Sequence, residues 1–105
     1  MPDFSKILEQ ATQMQSRLEK IQGELEQMSV SGSSGGGMVT VEADGKGQIT
    51  KVRVDPSIVN ASDVEMLEDL LLVALRDAQQ KSTDLAKQEM GKLTGGMALP
   101  FKLPF

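Results

Sequence analysis

The chain has 105 residues, a net charge of −4, and neither histidine nor cysteine. Because these two residue types are absent, the sequence excludes disulfides, thiol nucleophiles, histidine acid–base catalysis and zinc sites of the usual ligand set. We therefore expect no catalytic residue, no metal, no cofactor and no enzymatic activity. The length suits a single domain over residues 1–105, and with 3% aromatic residues its core must be aliphatic and rich in methionine.

The distribution of apolar residues predicts a cytoplasmic protein with no membrane partner. No basic segment followed by an apolar one opens the chain, and no apolar run is long enough to span a bilayer. The absence of cysteine fits a reducing compartment. The net charge of −4, taken by itself, argues against a general nucleic-acid coat.

Residues 1–28 are predicted to form one long amphipathic helix. Its apolar residues recur at alternating steps of three and four, which is a heptad pattern that would extend over about 37 Å of helix. The apolar part of the later helix, residues 64–78, covers only about 21 Å by the same rule, so one subunit does not easily cover its own stripe and we expect a homodimer. The stripe consists of Phe4, Ile7, Ala11, Met14, Leu18, Ile21, Leu25 and Met28.

Residues 29–56 are predicted to form a small antiparallel sheet. Apolar and polar residues alternate over 39–43, as in a half-buried strand, and the Asp-Gly-Lys-Gly segment at 44–47 is a hairpin turn signal. Ile49 is out of phase with the rest of the returning strand, which predicts a bulge beside the turn. A short additional strand around Val30 would make the sheet three-stranded and more stable than a lone hairpin.

A second helical segment is predicted over residues 62–93. It opens with Ser62 and Glu65 in the S-x-x-E spacing of a capping box. Several glycines end the segment, and the remaining residues, 94–105, are apolar and interrupted by prolines. Because two phenylalanines in a free tail would be unfavourable, we expect this tail to pack on the body of the protein or on a partner.

Short motifs in a fixed order carry a family resemblance over nearly the whole chain. They are GGMVTV at 36–41, GKG at 45–47, VRVDPS at 52–57, EMLEDL at 65–70, DA at 77–78, MALP at 97–100 and PF at 104–105. In this order and spacing the chain resembles the YbaB/EbfC family of small bacterial nucleoid-associated proteins. The resemblance implies an α+β fold with a helix, a small three-stranded antiparallel sheet and a second helix. It also implies an intertwined homodimer whose helices project like the arms of tweezers.

The resemblance further implies a function. A member of this family would bind double-stranded DNA, alter its conformation, and affect nucleoid organisation and gene expression in the cytoplasm. We expect little sequence preference, because no helix-turn-helix, zinc finger or aromatic stacking platform is recognisable in the sequence. The sequence leaves open which nucleoid or repair proteins accompany this activity.

Basic residues on the two predicted arms are the candidate DNA contacts. The residues at the c positions of the heptad include no acid, whereas Glu19 and Glu26 lie on the opposite flank, so positive charge is partly sorted to one side. An ordinary solvated helix face would also explain this pattern. A rival set, on the hairpin, consists of Lys46, Lys51 and Arg53. The candidates on the arms are Lys6, Arg17, Lys20, Lys81, Lys87 and Lys92.

The sequence also supports a different class of function. A dimeric coiled-coil adaptor that binds another protein, without nucleic acid, would use the same heptad stripe. The net charge of −4 favours this alternative, whereas the charge sorting on the first helix and the family resemblance favour DNA.

Overall fold

The computed structural model describes residues 4–93. Its elements are the helix α1 (Phe4–Gln27), the strands β1 (Ser29–Ser34), β2 (Val39–Asp44) and β3 (Ile49–Val54), and the helix α2 (Val64–Leu93). This confirms the predicted fold class of two long helices with a three-stranded antiparallel sheet between them in sequence. The predicted packed tail, 94–105, lies outside the described residues, and the assignment of 1–105 to a single domain stays a prediction.

The sheet has the strand order β1-β2-β3, with both neighbours of β2 antiparallel to it. Glu42 pairs with Lys51, but the next residue, Ala43, pairs with Ile49, so Thr50 is an extra residue in β3. This register shift is the bulge that the phase of Ile49 predicted. The predicted additional strand is also confirmed, since β1 pairs with β2 along its whole length.

The hairpin turn is held by the residue that ends β2. Oδ1 of Asp44 accepts hydrogen bonds from the backbone N–H groups of Lys46, at 2.9 Å, and Gln48, at 3.0 Å. The buried Ser82 of α2 donates its hydroxyl to the Asp44 carbonyl at 2.9 Å. The turn is therefore held both by its own hydrogen bonds and by α2, and in the described part of the chain no buried side-chain nitrogen or oxygen lacks a partner.

The core lies between β2 and the middle of α2. Every second residue of β2, namely Val39, Val41 and Ala43, is fully buried, as are Ala74 and Ala78 of α2. Small residues allow a close approach here, because a Cβ added at Gly32 of β1 would overlap backbone atoms of Ala74 and Ala78. The alternation of strand residues thus selects the face that α2 covers.

The start of α2 differs from the predicted capping box. The first helical residue is Val64, and the carboxylate of Asp63 accepts the backbone N–H of Met66 at 3.2 Å, which is the bond an N-cap residue makes. Ser62 instead donates its hydroxyl to Asn60 at 2.7 Å. The capping-box prediction is therefore wrong by one residue, because the loop before the helix engages Ser62 in its own turn.

Within residues 4–93, only the second half of α1 packs on the rest of the chain. Leu25 is buried, and its carbonyl accepts the backbone N–H of Gly45 at 2.8 Å. A Cβ at Gly45 would lie 2.7 Å from Cδ2 of Leu25, so only glycine allows the helix to approach the hairpin this closely. The first half of α1 projects from the body, which gives the described chain extents of 74 × 24 × 17 Å.

Candidate nucleic-acid interface

Beyond the sheet, α1 and α2 run side by side in opposite directions. The end of α1, at Gln22 and Leu25, shares a cavity with Ser82 and Ala86 of α2, and the preceding turns of α1 face the end of α2. Between these helices lies a cleft of about 290 Å³. We call it the arm cleft, and its lining consists of Arg17, Lys20, Ile21, Glu24, Glu89, Lys92 and Leu93.

Three of the six candidate DNA contacts, Arg17, Lys20 and Lys92, meet in the arm cleft. All three are exposed, so their cationic groups are accessible to an anion. The fold brings them together because α1 and α2 are antiparallel, which places the middle of α1 beside the last turn of α2. Lys92 lies more than 70 positions after Arg17 and Lys20 in the sequence, yet the three residues form one surface.

Two carboxylates share the arm cleft with these cations. Glu89 is buried, and its carboxylate pairs with Nζ of Lys92 at 3.0 Å, while Glu24 lies on the α1 side. The partial sorting of charge on α1, with Glu19 and Glu26 on the far flank, does not extend to this cleft, because Glu24 and Glu89 both line it. The spacing could have revealed both acids, since Glu24 follows Lys20 by four residues and Glu89 precedes Lys92 by three.

Lys6 and Lys87 lie on the arms but not in the lining of the arm cleft. Both side chains are exposed, and the described residues give neither of them an ion pair. Lys6 lies about 17 Å further out along α1 than Arg17. These two residues extend the cationic surface along the arms, since no carboxylate among residues 4–93 pairs with either of them.

Lys81 is separated from the other candidates because it binds the sheet. Its Nζ donates to the carbonyl of Ser31 at 2.9 Å and pairs with Oδ2 of Asp77 at 3.3 Å. The same Oδ2 accepts the backbone N–H of Ser33 at 3.1 Å. The Ser33 N–H, and then the Lys81 ammonium, lower the pKa of Asp77 from its ordinary value.

The rival basic residues of the hairpin are also exposed. Lys46 is already paired with Glu26 at 2.9 Å, and Lys51 faces Glu42 across the strand pair. Lys51 and Arg53 line a shallow cavity of about 130 Å³ on the face of the sheet opposite α2. This surface has two free cations at most, so it offers fewer phosphate contacts than the arms.

The helices and carboxylates within residues 4–93 bear on two other kinds of site. No helix there is long and apolar enough to cross a membrane. No group of three or more carboxylates is arranged to hold a metal ion there either.

Comparison with known proteins gives the same assignment as the sequence motifs. The chain is 48% identical over 103 residues to a nucleoid-associated protein of Gemmatimonas aurantiaca, covering 98% of this chain and 99% of that protein. It is 48% identical over 107 residues to a nucleoid-associated protein of Paramagnetospirillum magneticum, covering both chains completely. A nucleoid-associated protein of Desulfotalea psychrophila is 44% identical over 98 residues, covering 93% of this chain and 92% of that protein.

The fold also matches a solved structure. An uncharacterized protein from Helicobacter pylori, HP0035, superposes with a TM-score of 0.80 at 24% identity, covering 90% of this chain and 100% of that one. At this identity the match concerns the fold alone. The model of the YbaB/EbfC DNA-binding family matches residues 1–97, so the chain belongs to the YbaB/EbfC DNA-binding family.

Proposed function

We propose that this protein is a nucleoid-associated protein that binds double-stranded DNA through the arm cleft and the adjoining faces of α1 and α2. The observation that supports this most directly is the convergence of Arg17, Lys20 and Lys92 from two helices on one accessible cleft. Membership of a DNA-binding family supports the same ligand. Lys6 and Lys87 would add contacts along the arms, whereas Lys81 contributes less because it already binds Ser31 and Asp77.

The proposed contacts are to phosphates, and this predicts little sequence preference. Exposed lysines and arginines on helix surfaces fix a protein on the DNA backbone without reading base edges. Binding of this kind, repeated along a chromosome, would alter DNA conformation and thereby affect nucleoid organisation and gene expression. The protein would act in the cytoplasm, at the nucleoid.

The acidic net charge does not prevent such contact. At physiological salt, screening limits the repulsion between a chain of charge −4 and DNA to about 8 Å. A local group of cations can then attract phosphates at short range. The carboxylates of Glu24 and Glu89 weaken this attraction, so we expect moderate rather than tight affinity and strong dependence on salt.

The first prediction tests the arm cleft directly. Replacing Arg17 and Lys20 by glutamine should weaken binding evenly across unrelated duplexes, because cations that contact phosphates are removed. The slope of log K against log salt should fall by about one unit per lost phosphate contact. Fluorescence anisotropy titrations at several salt concentrations, with wild type and variant, measure both quantities.

The matched control neutralises the hairpin. The variant with Lys51→Gln and Arg53→Gln also loses two positive charges, so it separates local contact from the general effect of net charge. It should bind DNA more tightly than the arm variant does. If the hairpin variant loses binding while the arm variant keeps both affinity and salt slope, the sheet is the DNA-binding surface. Wild-type protein that binds no duplex even at low salt would instead support the coiled-coil adaptor.

We also propose that the protein is a homodimer, as expected from the sequence, but with its interface on the body instead of along the heptad stripe of α1. β3 pairs only with β2 in the described part of the chain, so its outer edge is open. Val52 of β3 is 50% exposed, although its partner Val41 is fully buried. On α2, Met66, Leu72 and Val73 are also exposed. A second copy would cover this open edge and the apolar side chains near it.

A further inference from the structure

One carboxylate of the arm cleft lies at a buried position of α2, among small and apolar residues. Ser82, Ala86, Glu89 and Met90 are buried in the second half of the helix, and they recur at steps of three and four, so they share one face. Glu89 is the only one of these four that carries a charge, and it is 8% exposed. Because a buried carboxylate is costly without a cation beside it, this position needs a partner.

Lys92 supplies that partner from the next turn of α2. Its Nζ lies 3.0 Å from Oε1 of Glu89. The two side chains differ in access to solvent, since that of Lys92 is 65% exposed and that of Glu89 only 10%. The carboxylate is therefore confined between the helices, whereas the ammonium lies at the surface. A phosphate that approaches Lys92 meets a cation that already has an anionic partner.

The arm cleft as a whole carries nearly as much negative as positive charge. Three cations, Arg17, Lys20 and Lys92, line it together with two carboxylates, which leaves one net positive charge. The carboxylate of Glu24 belongs to an exposed residue, so its side chain has room to turn into solvent when an anion enters. Glu89 lacks this freedom because it is buried. It is therefore the carboxylate that DNA does not displace from the cleft.

We propose that Glu89 competes with DNA phosphate for Lys92 and thereby lowers the number of phosphate contacts that the arm cleft makes by one. This inference rests on the proposed function of the cleft as a DNA-binding site. The salt dependence of DNA binding counts the cations that neutralise phosphates. Because the pair of Glu89 and Lys92 is neutral as a whole, a phosphate beside it releases no further counterion. The pair keeps DNA binding weak and readily reversible.

Titration of a duplex oligonucleotide at several salt concentrations tests this competition. Glu89→Gln retains the size of the side chain and removes its charge. It should tighten binding on the order of fivefold at about 0.1 M salt and steepen the slope of log K against log salt by about one unit. Adding Lys92→Gln to this variant should return the slope to the wild-type value, because the cation that was released is then absent.

Two control variants separate this local effect from others. Asp84→Asn removes one negative charge from the same helix, at a carboxylate that bonds to Gln80 and does not line the arm cleft. It should leave the slope unchanged. Glu89→Asp retains the charge and should retain the wild-type slope. If Glu89 only stabilised the packing of the helices, its replacement would lower Tm and leave the slope unchanged.

A further measurement does not require a change at the buried Glu89. Lys92→Gln in the wild-type background should alter the slope little, whereas Arg17→Gln should lower it by about one unit. Equal losses for the two variants would show that Lys92 contacts phosphate freely, and this would overturn the proposal. So would equal slopes for Glu89→Gln and Asp84→Asn when the wild type binds DNA. A wild-type protein that binds no duplex would overturn the proposed function itself, and this inference with it.

Discussion

At Gly32, the sheet and α2 come into contact backbone to backbone. The residue is buried in the middle of β1, and any Cβ there would collide with Ala74 and Ala78. The two alanines are fully buried and leave the helix surface flat at this point. The close packing of these three small residues brings α2 near enough for its longer side chains to bind the edge of the sheet.

The same substitution at two glycines should therefore have opposite effects on stability. Gly32→Ala should lower the free energy of unfolding by about 1–3 kcal/mol, because the helix must move away from the sheet. Gly23→Ala should raise it by roughly 0.5–1 kcal/mol, since Gly23 lies in α1 and nothing is within 4 Å of its added Cβ. Denaturant unfolding of both variants measures the difference. A neutral result at Gly32 would mean that the contact with α2 is not tight.

At the scale of elements, the two outer edges of the sheet differ in what covers them. The outer edge of β1 is closed by α2, because Asp77 accepts the Ser33 N–H and Lys81 donates to the Ser31 carbonyl. The edge of β3 has no such cover in the described part of the chain. Closing one edge with a charged pair discourages strand addition there and leaves the other edge for association.

The contribution of the closed β1 edge to stability should be lost in acid. The pKa of Asp77 is lowered in the folded state, first by the Ser33 N–H and then by Lys81, from an ordinary value of 3.8. A lowered folded pKa contributes stability that is present above the unfolded value and is lost as the pH falls through the folded one. The difference in Tm between wild type and Asp77→Asn should therefore be largest near neutral pH and shrink below pH 3.8.

Thermal melts between pH 2.5 and 7, roughly the span over which such a carboxyl titrates, check this expectation. Asp84→Asn is the matched control, because the Asp84 carboxylate bonds only to Gln80 of its own helix at 3.1 Å. It should change Tm little at any pH. The pKa of Asp55 is also lowered, by the N–H of Ser57, so both wild type and variant retain some acid sensitivity. A difference in Tm that persists unchanged at low pH would refute the role given to the Asp77 charge.

At the scale of the whole molecule, exposed apolar side chains within residues 4–93 occur both on the arm and on the body. One group lies on the arm, at Phe4, Ile7 and Met14, and the other lies on the body, around Val52 and Val73. The described chain is 74 Å long, and α1 projects away from the sheet, so one interface on the body does not also cover the arm. The two groups therefore belong to separate surfaces, and a second copy that binds the body would leave the arm exposed.

Light scattering behind a sizing column distinguishes these interfaces. Wild-type protein should have the mass of two 11.3 kDa chains. Val52→Asp places a charge beside the open edge and should give the mass of one chain, whereas Ile7→Asp should remain a dimer. The opposite pattern would place the dimer on the heptad stripe, and a wild-type monomer at micromolar concentration would exclude a homodimer.

Local patterns in the sequence determined the elements of this protein. The heptad steps from Phe4 to Met28 required a long amphipathic α1, the alternation over 39–43 selected the buried face of β2, and the phase of Ile49 located the bulge. Each of these signals repeats within a few residues, so it depends only on helix and strand geometry. The order of the motifs also identified the family, because that order does not depend on how the chain packs.

Only the tertiary structure decided which side chains meet. Lys81 binds Ser31 across 50 positions of sequence, which removes it from the arm contacts, and Glu89 and Lys92 of α2 meet Arg17 of α1 in the arm cleft. Such contacts follow from the packing of α2 on the sheet and on α1, and no short-range pattern in the sequence specifies the angle or offset of that packing. The charge balance at the candidate DNA-binding site therefore depends on contacts between distant segments of the chain.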